Sequence, residues 1–435
     1  MLLIKPTTFL HITCASLLAP AVSAQDTADK PAKSVEERLA ELEKKSGGDT
    51  MRVYWKDGLR LETADKQYKF RFAGRLNYDV AFFDPDNDTK TAIETGTTRI
   101  EDGSEFRRAR IELSGEVAER TEWETSFDFA GGKAAFKNLF VGIKDLPFGN
   151  VRVGQFKEPF SLEQLTSDNN TTFMERSVSS ANDPVYNAGL MVFDDAAAER
   201  MTWAVGAFRT GTDDGEISKG DGEWATTARV TGLPFYSEDG SNYVHLGLGF
   251  SRRSPTNDQL SFSSKPEANL APAYVSIANL PAETVDLLGL EAAWVSGPLT
   301  VQSEYRTAAV DAPSGAGSDQ DFDGFYAQAS WFLTGENRPY RKNTGGYGPI
   351  KVKNNAFSKD HGLGAWELAA RYSTIDLTDG AVDSGGLDDM TLGVNWYLNP
   401  NTKLMVNYVV ADLDPAGGGA EGTTDILEFR VQFAY

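Results

Sequence analysis

Residues 68–82 decide the fold of this chain. Their sequence is Tyr-Lys-Phe-Arg-Phe-Ala-Gly-Arg-Leu-Asn-Tyr-Asp-Val-Ala-Phe. Aromatic, aliphatic and glycine residues fill the even positions, and charged, amide or alanine residues fill the odd ones. Because side chains of a β-strand alternate between two faces, the pattern predicts one apolar and one polar face. Strands of globular proteins usually have about five or six residues, so this length favours a tilted strand that crosses a bilayer.

The end of the chain repeats this alternation. One face of the last predicted strand carries Leu427, Phe429, Val431, Phe433 and Tyr435. Polar residues and one alanine lie between them, and the chain stops on the aromatic residue. A final strand that ends on an aromatic residue resembles the signal that assembles outer-membrane barrels.

Fourteen further segments alternate in the same way. They lie at 105–117, 122–130, 138–144, 150–156, 187–193, 200–208, 223–232, 243–251, 286–296, 299–308, 323–333, 363–374, 389–398 and 402–411. An even number of strands is typical of bacterial outer-membrane barrels, and closure is required because lipid cannot satisfy a free sheet edge. The predicted fold class is therefore all-β: a transmembrane antiparallel β-barrel of about 16 strands, with a short N-terminal helical or coiled-coil segment.

Long and short connections alternate between the predicted strands. The long ones lie at 84–104, 158–186, 209–222, 252–285, 309–322, 375–388 and 412–424. Long outer loops and short periplasmic turns are typical of these barrels. Residues 334–362 are an exception, because they form a long connection on the short-turn side. The sequence leaves open whether they hold a missed strand pair or an extended turn.

The N-terminus predicts export from the cytoplasm. Within residues 1–24, Lys5 precedes a mostly apolar stretch, and small residues precede Gln25, as in a cleaved signal peptide. The single cysteine, Cys14, lies in this segment, so the exported chain would carry no thiol.

Residues 25–50 predict a periplasmic linker with a short helix. Its apolar residues follow heptad spacing over about two heptads, which leaves open a short coiled coil or a solvated helix. The barrel domain is predicted to span residues 51–435.

Composition excludes several classes of function. The net charge of −21 argues against a nucleic-acid-binding protein, which usually has a basic face. Only His245 and His361 remain after the signal segment, and no nucleophile motif accompanies them. The sequence therefore predicts no enzyme, no cofactor and no metal site.

Basic residues on the polar strand faces predict an anion path inside the barrel. The candidates are Arg75, Arg107, Arg108, Arg110 and Arg152. Arg107 has the parity of the lipid face, but a β-bulge near the start of its strand could turn it inward. Two interpretations remain open: a cationic constriction that replaces the hydration of a passing anion, or wall charges paired with carboxylates.

The connection 158–186 is the best candidate for a loop folded into the barrel. It combines polar residues with apolar residues that could pack. Its candidate constriction residues are Glu163, Gln164, Glu175 and Arg176.

Several motifs, in this order, resemble the phosphate-selective porins O and P. They are Phe106-Arg107-Arg108-Ala109-Arg110, residues 153–160 (Val-Gly-Gln-Phe-Lys-Glu-Pro-Phe), Thr172-Phe173-Met174-Glu175-Arg176, Leu333-Thr334-Gly335-Glu336, Gly364-Ala365-Trp366-Glu367-Leu368 and Leu392-Gly393-Val394-Asn395-Trp396-Tyr397. The resemblance runs from about residue 52 to the end. It implies a sixteen-stranded trimeric barrel, an inward third loop and an arginine-lined anion path.

The resemblance also implies roles for single residues. Arg75, Arg107 and Arg108 match positions that line the anion site, and Arg152 matches a basic position before the constriction loop. This chain departs from the family where Gln164, Asn138 and Glu124 replace a lysine, an aspartate and a lysine. An outer-loop ladder of arginines is absent, because residues 259–275 offer Lys265 alone.

Three functional hypotheses follow. The first is a homotrimeric porin in the outer membrane of a Gram-negative cell, in contact with lipopolysaccharide, that passes small anions such as phosphate by diffusion. The second is a general or carboxylate-preferring porin without a dedicated phosphate site. The third is a closed, adhesin-like barrel whose loops bind a partner.

Overall fold

The sixteen strands expected from the alternation form one closed antiparallel barrel. The computed structural model describes Glu37 and residues 51–211, 223–359 and 361–435. The barrel strands are β3 (Tyr68–Pro85), β4 (Gly103–Val117), β5 (Thr121–Asp128), β6 (Ala135–Leu146), β7 (Gly149–Lys157), β8 (Tyr186–Ala196), β9 (Met201–Arg209), β10 (Trp224–Tyr236), β11 (Asn242–Arg253), β14 (Thr284–Ser296), β15 (Leu299–Asp311), β16 (Gln320–Phe332), β19 (Ala365–Asp379), β20 (Val382–Asn399), β21 (Thr402–Asp414) and β22 (Gly422–Ala434). The last strand pairs with the first, from Thr424 opposite Pro85 to Ala434 opposite Arg75, so the expectation of a closed sixteen-stranded barrel is confirmed.

Within residues 51–211, 223–359 and 361–435, six short strands and two helices accompany the barrel. The hairpin β1 (Met51–Trp55) and β2 (Leu59–Thr63) extends the sheet beside β3. Two small hairpins stand apart, one of β12 (Gln259–Ser264) and β13 (Val275–Pro281), the other of β17 (Tyr340–Arg341) and β18 (Gly346–Tyr347). The helices are α1 (Asn87–Ile93) and α2 (Leu162–Leu165), and 3-10 turns lie at Ala130–Gly132, Val178–Asn182 and Thr256–Asp258.

Two predictions about the N-terminus lie outside the described residues. The predicted signal segment, 1–24, and the predicted helical linker, 25–50, are not described except for Glu37, which is helical. In the described part of the chain, no helix is long and apolar enough to cross a membrane.

The two faces of the barrel wall follow the alternation of the sequence. On β3, the outward side chains of Leu76, Tyr78 and Phe82 are exposed, whereas the inward side chains of Arg75 and Asn77 are buried. An apolar exterior with a polar interior is the arrangement of a barrel that lies in lipid and surrounds water.

The long-loop end of the barrel contains an apolar plug. Residues 254–283, between β11 and β14, fold inward and pack on the inner faces of later strands. The buried wall residues in this contact are Val285, Leu287, Ala308, Val310, Phe322, Ile375, Leu377, Leu387, Val409, Ala411, Leu413 and Ile426. The cavity open at this end is lined by β4–β8 and by loops, with no residue from β14–β22.

Candidate functional site

The connection between β7 and β8 folds into the barrel, as the sequence predicted. We call residues 158–185 the constriction loop. Its apolar residues Phe160, Leu162 and Phe173 are at most 1% exposed. The backbone N–H groups of Leu162 and Glu163 donate to the Glu304 carboxylate of β15, at 3.1 and 2.9 Å. The loop therefore crosses the lumen and is held by the opposite wall.

Two buried arginines of the wall hold the far side of the constriction loop. Arg306 donates to Asp183 at 2.7 Å and to the Ser179 hydroxyl at 2.8 Å. Arg371 contacts the Glu163 carboxylate at 3.2 Å. Glu163, predicted as a constriction residue, is thus a buried anchor of the loop.

Four successive carbonyl oxygens of the constriction loop, from Asn169 to Thr172, each accept a hydrogen bond from a side chain outside the loop. The donors, in order, are Gln432 at 3.1 Å, Arg338 at 3.0 Å, Lys403 at 3.0 Å and Asn395 at 2.7 Å. We call these four bonds the carbonyl clamp. They fix the backbone next to Asp168 and direct these carbonyl groups toward protein donors.

Residues 333–359 and 361–364, between β16 and β19, include the long connection on the short-turn side that the sequence left open. They form an inward turn that contains the small hairpin β17–β18. Arg338 of this turn is fully buried and pairs with Glu367 of β19. The backbone carbonyl of Tyr347 accepts from the Asn170 side chain at 3.2 Å. The inward turn therefore supports the constriction loop from the short-turn end.

Four arginines converge on the carboxylate of Asp168 in the constriction loop. Arg75, Arg108 and Arg110 approach its Oδ2 atom at 3.6, 3.1 and 3.7 Å. Arg176 approaches Oδ1 at 2.7 Å. Burial alone would raise the pKa of Asp168, but the Arg108 and Arg176 guanidinium groups outweigh it and hold that pKa well below its usual value.

Arg107 joins this cluster through a β-bulge. Asn77 pairs with Arg108 and Tyr78 pairs with Phe106, so Arg107 is the extra residue of β4. Its side chain donates to both carboxylate oxygens of Glu175 at 2.9 Å. An extra residue reverses the local alternation, and the Arg107 side chain lines the smaller cavity instead of the outer face.

Glu175 connects the constriction loop to two strands. Besides Arg107 on β4, it contacts Arg430 of β22 at 2.7 Å. Arg430 also pairs with Asp79 of β3 at 2.6 Å. The predicted pair Glu175 and Arg176 therefore lies inside one continuous ionic network with Arg107, Arg108 and Asp168.

Arg152 lies apart from the arginine cluster, whereas Gln164 lines the smaller cavity beside it. Arg152 pairs with Glu122 at 2.8 Å and stacks on the Phe140 ring at 4.0 Å. The side-chain oxygen of Gln164 is buried and has no hydrogen-bond partner among the described residues. Its backbone carbonyl accepts from Lys157 at 2.5 Å.

Two cavities lead to the constriction loop. The larger, about 710 Å³, opens at the short-turn end and is lined by Asn399 and Tyr435, among other residues. The smaller, about 380 Å³, is lined by Lys265 and Asn269 of the plug. The residues common to both linings are Arg110, Lys157, Asp168 and Tyr186. These four residues mark the junction through which a solute would pass.

Positive charge predominates around the smaller cavity, although the chain as a whole is acidic. Its lining has seven basic side chains: Arg107, Arg108, Arg110, Lys137, Lys157, Arg176 and Lys265. It has four acidic ones: Asp128, Asp168, Glu175 and Glu267. Charge of one sign focused in a low-dielectric cleft attracts the opposite ion.

Sequence reasoning missed Lys157 and Asp168 at the junction. Lys157 has the parity of the exposed Val153 on β7, so alternation predicts lipid contact. The strand ends at Lys157, and the chain then enters the lumen. Asp168 was visible only as one of several polar residues in the loop, and no spacing rule distinguished it.

Comparisons with known proteins agree with this geometry. The family model described as "Phosphate-selective porin O and P" matches residues 70–435. Porin O of Pseudomonas aeruginosa is 27% identical over 465 aligned residues, covering 97% of this chain and 98% of that protein. An uncharacterized protein of Caulobacter vibrioides is 25% identical over 88% of this chain and 75% of its own length.

Solved porin structures share the fold at low sequence identity. An anion-selective porin from Comamonas acidovorans has a TM-score of 0.51 at 12% identity, covering 85% of this chain and 100% of that one. The trimer form of OmpT from Vibrio cholerae has a TM-score of 0.51 at 13% identity, with 85% and 99% covered. At these identities, the likeness concerns the fold alone.

Proposed function

This chain belongs to the phosphate-selective porin O and P family and is an outer-membrane porin, and we propose that small anions, phosphate first among them, are its solutes. As a porin it is a channel, and transport is passive. The arginines near the constriction loop lower the barrier for an anion that leaves bulk water. Arg75, Arg107, Arg108 and Arg110 form the anion path, and Arg152 contributes charge to the wall of the larger cavity.

One observation carries this proposal. The smaller cavity has seven basic and four acidic lining residues, in a chain with a net charge of −21. An acidic protein that concentrates its cations at the narrow part of a lumen creates a local field for anions. Porin O of Pseudomonas aeruginosa, at 27% identity, supports the same assignment.

A planar bilayer tests the proposal. The zero-current potential of the purified protein under a KCl gradient should show chloride preference, and added phosphate should reduce the chloride current. The double change Arg107→Ala and Arg108→Ala should lower the chloride-to-potassium permeability ratio several-fold. A matched control is Arg252→Ala, whose side chain is 56% exposed and pairs with Asp286. An unchanged ratio in the double variant would refute the assigned path.

A second candidate function is a general or carboxylate-preferring porin. One observation favours it: each arginine of the cluster already has a carboxylate partner within 4 Å. Such pairing weakens a dedicated phosphate site while leaving a positive field. In the same bilayer, equal reduction of the current by phosphate and by acetate would favour this second function.

The wall height of the barrel supports a homotrimer. β5, β7 and β9 have 8, 9 and 9 residues, at or just below the lower end of the range of about 9–11 that a membrane-spanning strand needs, while β3 and β20 have 18. Contact with neighbouring copies would cover this low side. The trimer form of OmpT, which shares the fold, is consistent with this assembly. Cross-linking in detergent should give a three-subunit species, and a monomer alone would contradict it.

The N-terminal segments complete the proposal. Residues 1–24 are a cleaved signal peptide, and residues 25–50 are a periplasmic linker with a short helix. Lipopolysaccharide surrounds the long-loop end of the barrel in the outer leaflet. N-terminal sequencing of the mature protein should begin at Gln25, and an intact Met1 would contradict the signal peptide.

A further inference from the structure

We propose that the Asp168 carboxylate occupies the anion site of the pore as a built-in competitor, which a passing anion must displace. The proposal rests on the proposed anion-porin function and deepens it. It assigns Asp168 as the residue that sets how tightly the pore holds an anion, and it names small oxyanions as the class that competes with it.

The cluster around Asp168 has more cationic donors than one carboxylate can satisfy. Four guanidinium groups lie within 3.7 Å of its two oxygens. Guanidinium groups bind carboxylates and phosphates through the same fork of N–H donors. A carboxylate with four such neighbours therefore stands where an external oxyanion would bind.

The arginines differ in their other partners. Arg75 also pairs with Glu112, and Arg110 also pairs with Asp128 at 3.0 Å. Arg108 has Asp168 at 3.1 Å, and its other carboxylate, Glu175, is at 4.0 Å. Among the three wall arginines, Arg108 thus depends most on Asp168 and is freest to bind a replacement. Arg176, in the loop itself, pairs with Asp168 at 2.7 Å and otherwise donates to loop carbonyl groups.

An unused donor lies in the same place. The Nε atom of Arg75 is buried and has no hydrogen-bond partner among the described residues, while the Arg75 side chain is only 8% exposed. A buried donor without a partner costs free energy, and an oxyanion in the cluster could satisfy it. This observation is independent of the carboxylate contacts and points to the same ligand chemistry.

The location makes displacement unavoidable for a passing solute. Asp168 lines both cavities, together with Arg110, Lys157 and Tyr186. Among the described residues, Lys157 has no carboxylate within ion-pair distance, and its ammonium group donates to the Gln164 carbonyl. An anion that leaves the smaller cavity meets the Lys157 amino group and then the four arginines that Asp168 holds.

The carbonyl clamp confines the exchange to a side chain. The carbonyl oxygens from Asn169 to Thr172 are bound by four donors, so the backbone after Asp168 is fixed. The Asp168 carboxylate can rotate away from the arginines while the loop stays in place. The anion then takes its hydrogen bonds, and the carboxylate returns when the anion leaves.

The test is Asp168→Asn, which preserves the shape of the side chain and removes its charge. The phosphate concentration that halves the chloride current should fall about tenfold or more, because charged hydrogen bonds no longer compete with the ligand. The zero-current potential should also move toward chloride. Asp168→Glu, which keeps the charge, should resemble the wild type, and Asp168→Ser provides a second neutral variant if the asparagine variant fails to fold.

Asp183→Asn is the matched control. Asp183 lies in the same loop and pairs with Arg306 at 2.7 Å, but it lines neither cavity. An unchanged phosphate concentration in Asp168→Asn would overturn the proposal, and so would an equal shift in Asp183→Asn, because that result indicates general loosening. If the wild-type channel prefers potassium, the proposed anion-porin function itself is wrong, and this outcome is distinct from a failure of the Asp168 proposal alone.

Discussion

Replacing Arg338 tests whether the inward turn supports the constriction loop. Arg338 is fully buried, pairs with Glu367, and donates to the Asn170 carbonyl at 3.0 Å. Arg338→Met keeps the long side chain and removes the charge. Glu367 would then be a buried carboxylate without its cation.

The size of the effect follows from the remaining partners. Breaking one side of a buried ion pair costs about 3–5 kcal/mol. Glu367 keeps hydrogen bonds from Asn395 at 3.0 Å and from Tyr397 at 2.8 Å, which favours the lower end of that range. We therefore expect the free energy of unfolding to fall by about 3 kcal/mol. The lost bond to Asn170 should also increase current noise in single channels.

A double-mutant cycle separates the ion pair from simple loss of packing. The variant Arg338→Met with Glu367→Gln should lose about 1 kcal/mol or less relative to the wild type, because no unpaired charge is left and the glutamine oxygen can still accept from Asn395 and Tyr397. Urea unfolding in detergent, followed by tryptophan fluorescence, measures each term. Arg252→Met, at a 56% exposed ion pair, should change stability by less than about 1 kcal/mol. Additive single and double effects would refute the reasoning.

Three further predictions concern the loop, the seam and the plug. The pKa of Asp168 is held well below its usual value, so its charge and the stability it confers persist above that depressed pKa. Chloride preference should therefore stay constant from pH 7 down to about 4, the pH at which an ordinary aspartate is half protonated. A step in the zero-current potential near pH ~4 would contradict the buried ion cluster. Gly74→Val should reduce the folded fraction, measured on gels as the fraction whose mobility changes on heating. A Cβ atom at this position would lie 2.5 Å from the Arg110 carbonyl and 2.6 Å from the Tyr435 ring. A normal folded fraction would show that the β22–β3 seam adjusts to the larger side chain. Leu287→Ala, at a plug contact that is 2% exposed, should lower the free energy of unfolding by about 2–5 kcal/mol, and a loss below about 1 kcal/mol would indicate a loose plug.

The barrel could be predicted from sequence because alternation is a local property. On β3, the side chain of Arg75 points inward and that of the next residue, Leu76, points outward. The same alternation of side chains identified all sixteen strands. The bulge at Arg107 was predictable as well, since charge on the lipid face is costly and a single extra residue corrects it. These inferences need only the sequence near each strand.

The filling of the lumen could not be predicted in the same way. The plug packs on inward residues such as Val285 and Leu287, while Leu288 and Leu290 of the same strand face outward. Apolar residues on both faces of β14 indicated that protein, and not water, fills this end of the lumen. The inward turn gave no such signal, because Arg338 and Tyr347 are held by partners that are distant in sequence.

The proposed role of Asp168 shows the limit of carrying site residues by motif. The arginine positions can be found from the pattern Phe106-Arg107-Arg108-Ala109-Arg110. Their charge balance depends on which loop carboxylate reaches them, and that depends on how the loop crosses the lumen.

The carbonyl clamp also has a consequence for the order in which the protein matures. Its donors are separated from their acceptors by 168 to 263 residues along the chain, and three of them lie on β20, β21 and β22. The constriction loop is synthesised well before these strands exist, so it cannot be seated while the C-terminal hairpins are unpaired. The solute filter is consequently one of the last parts to assemble, and a barrel that has not closed has no filter.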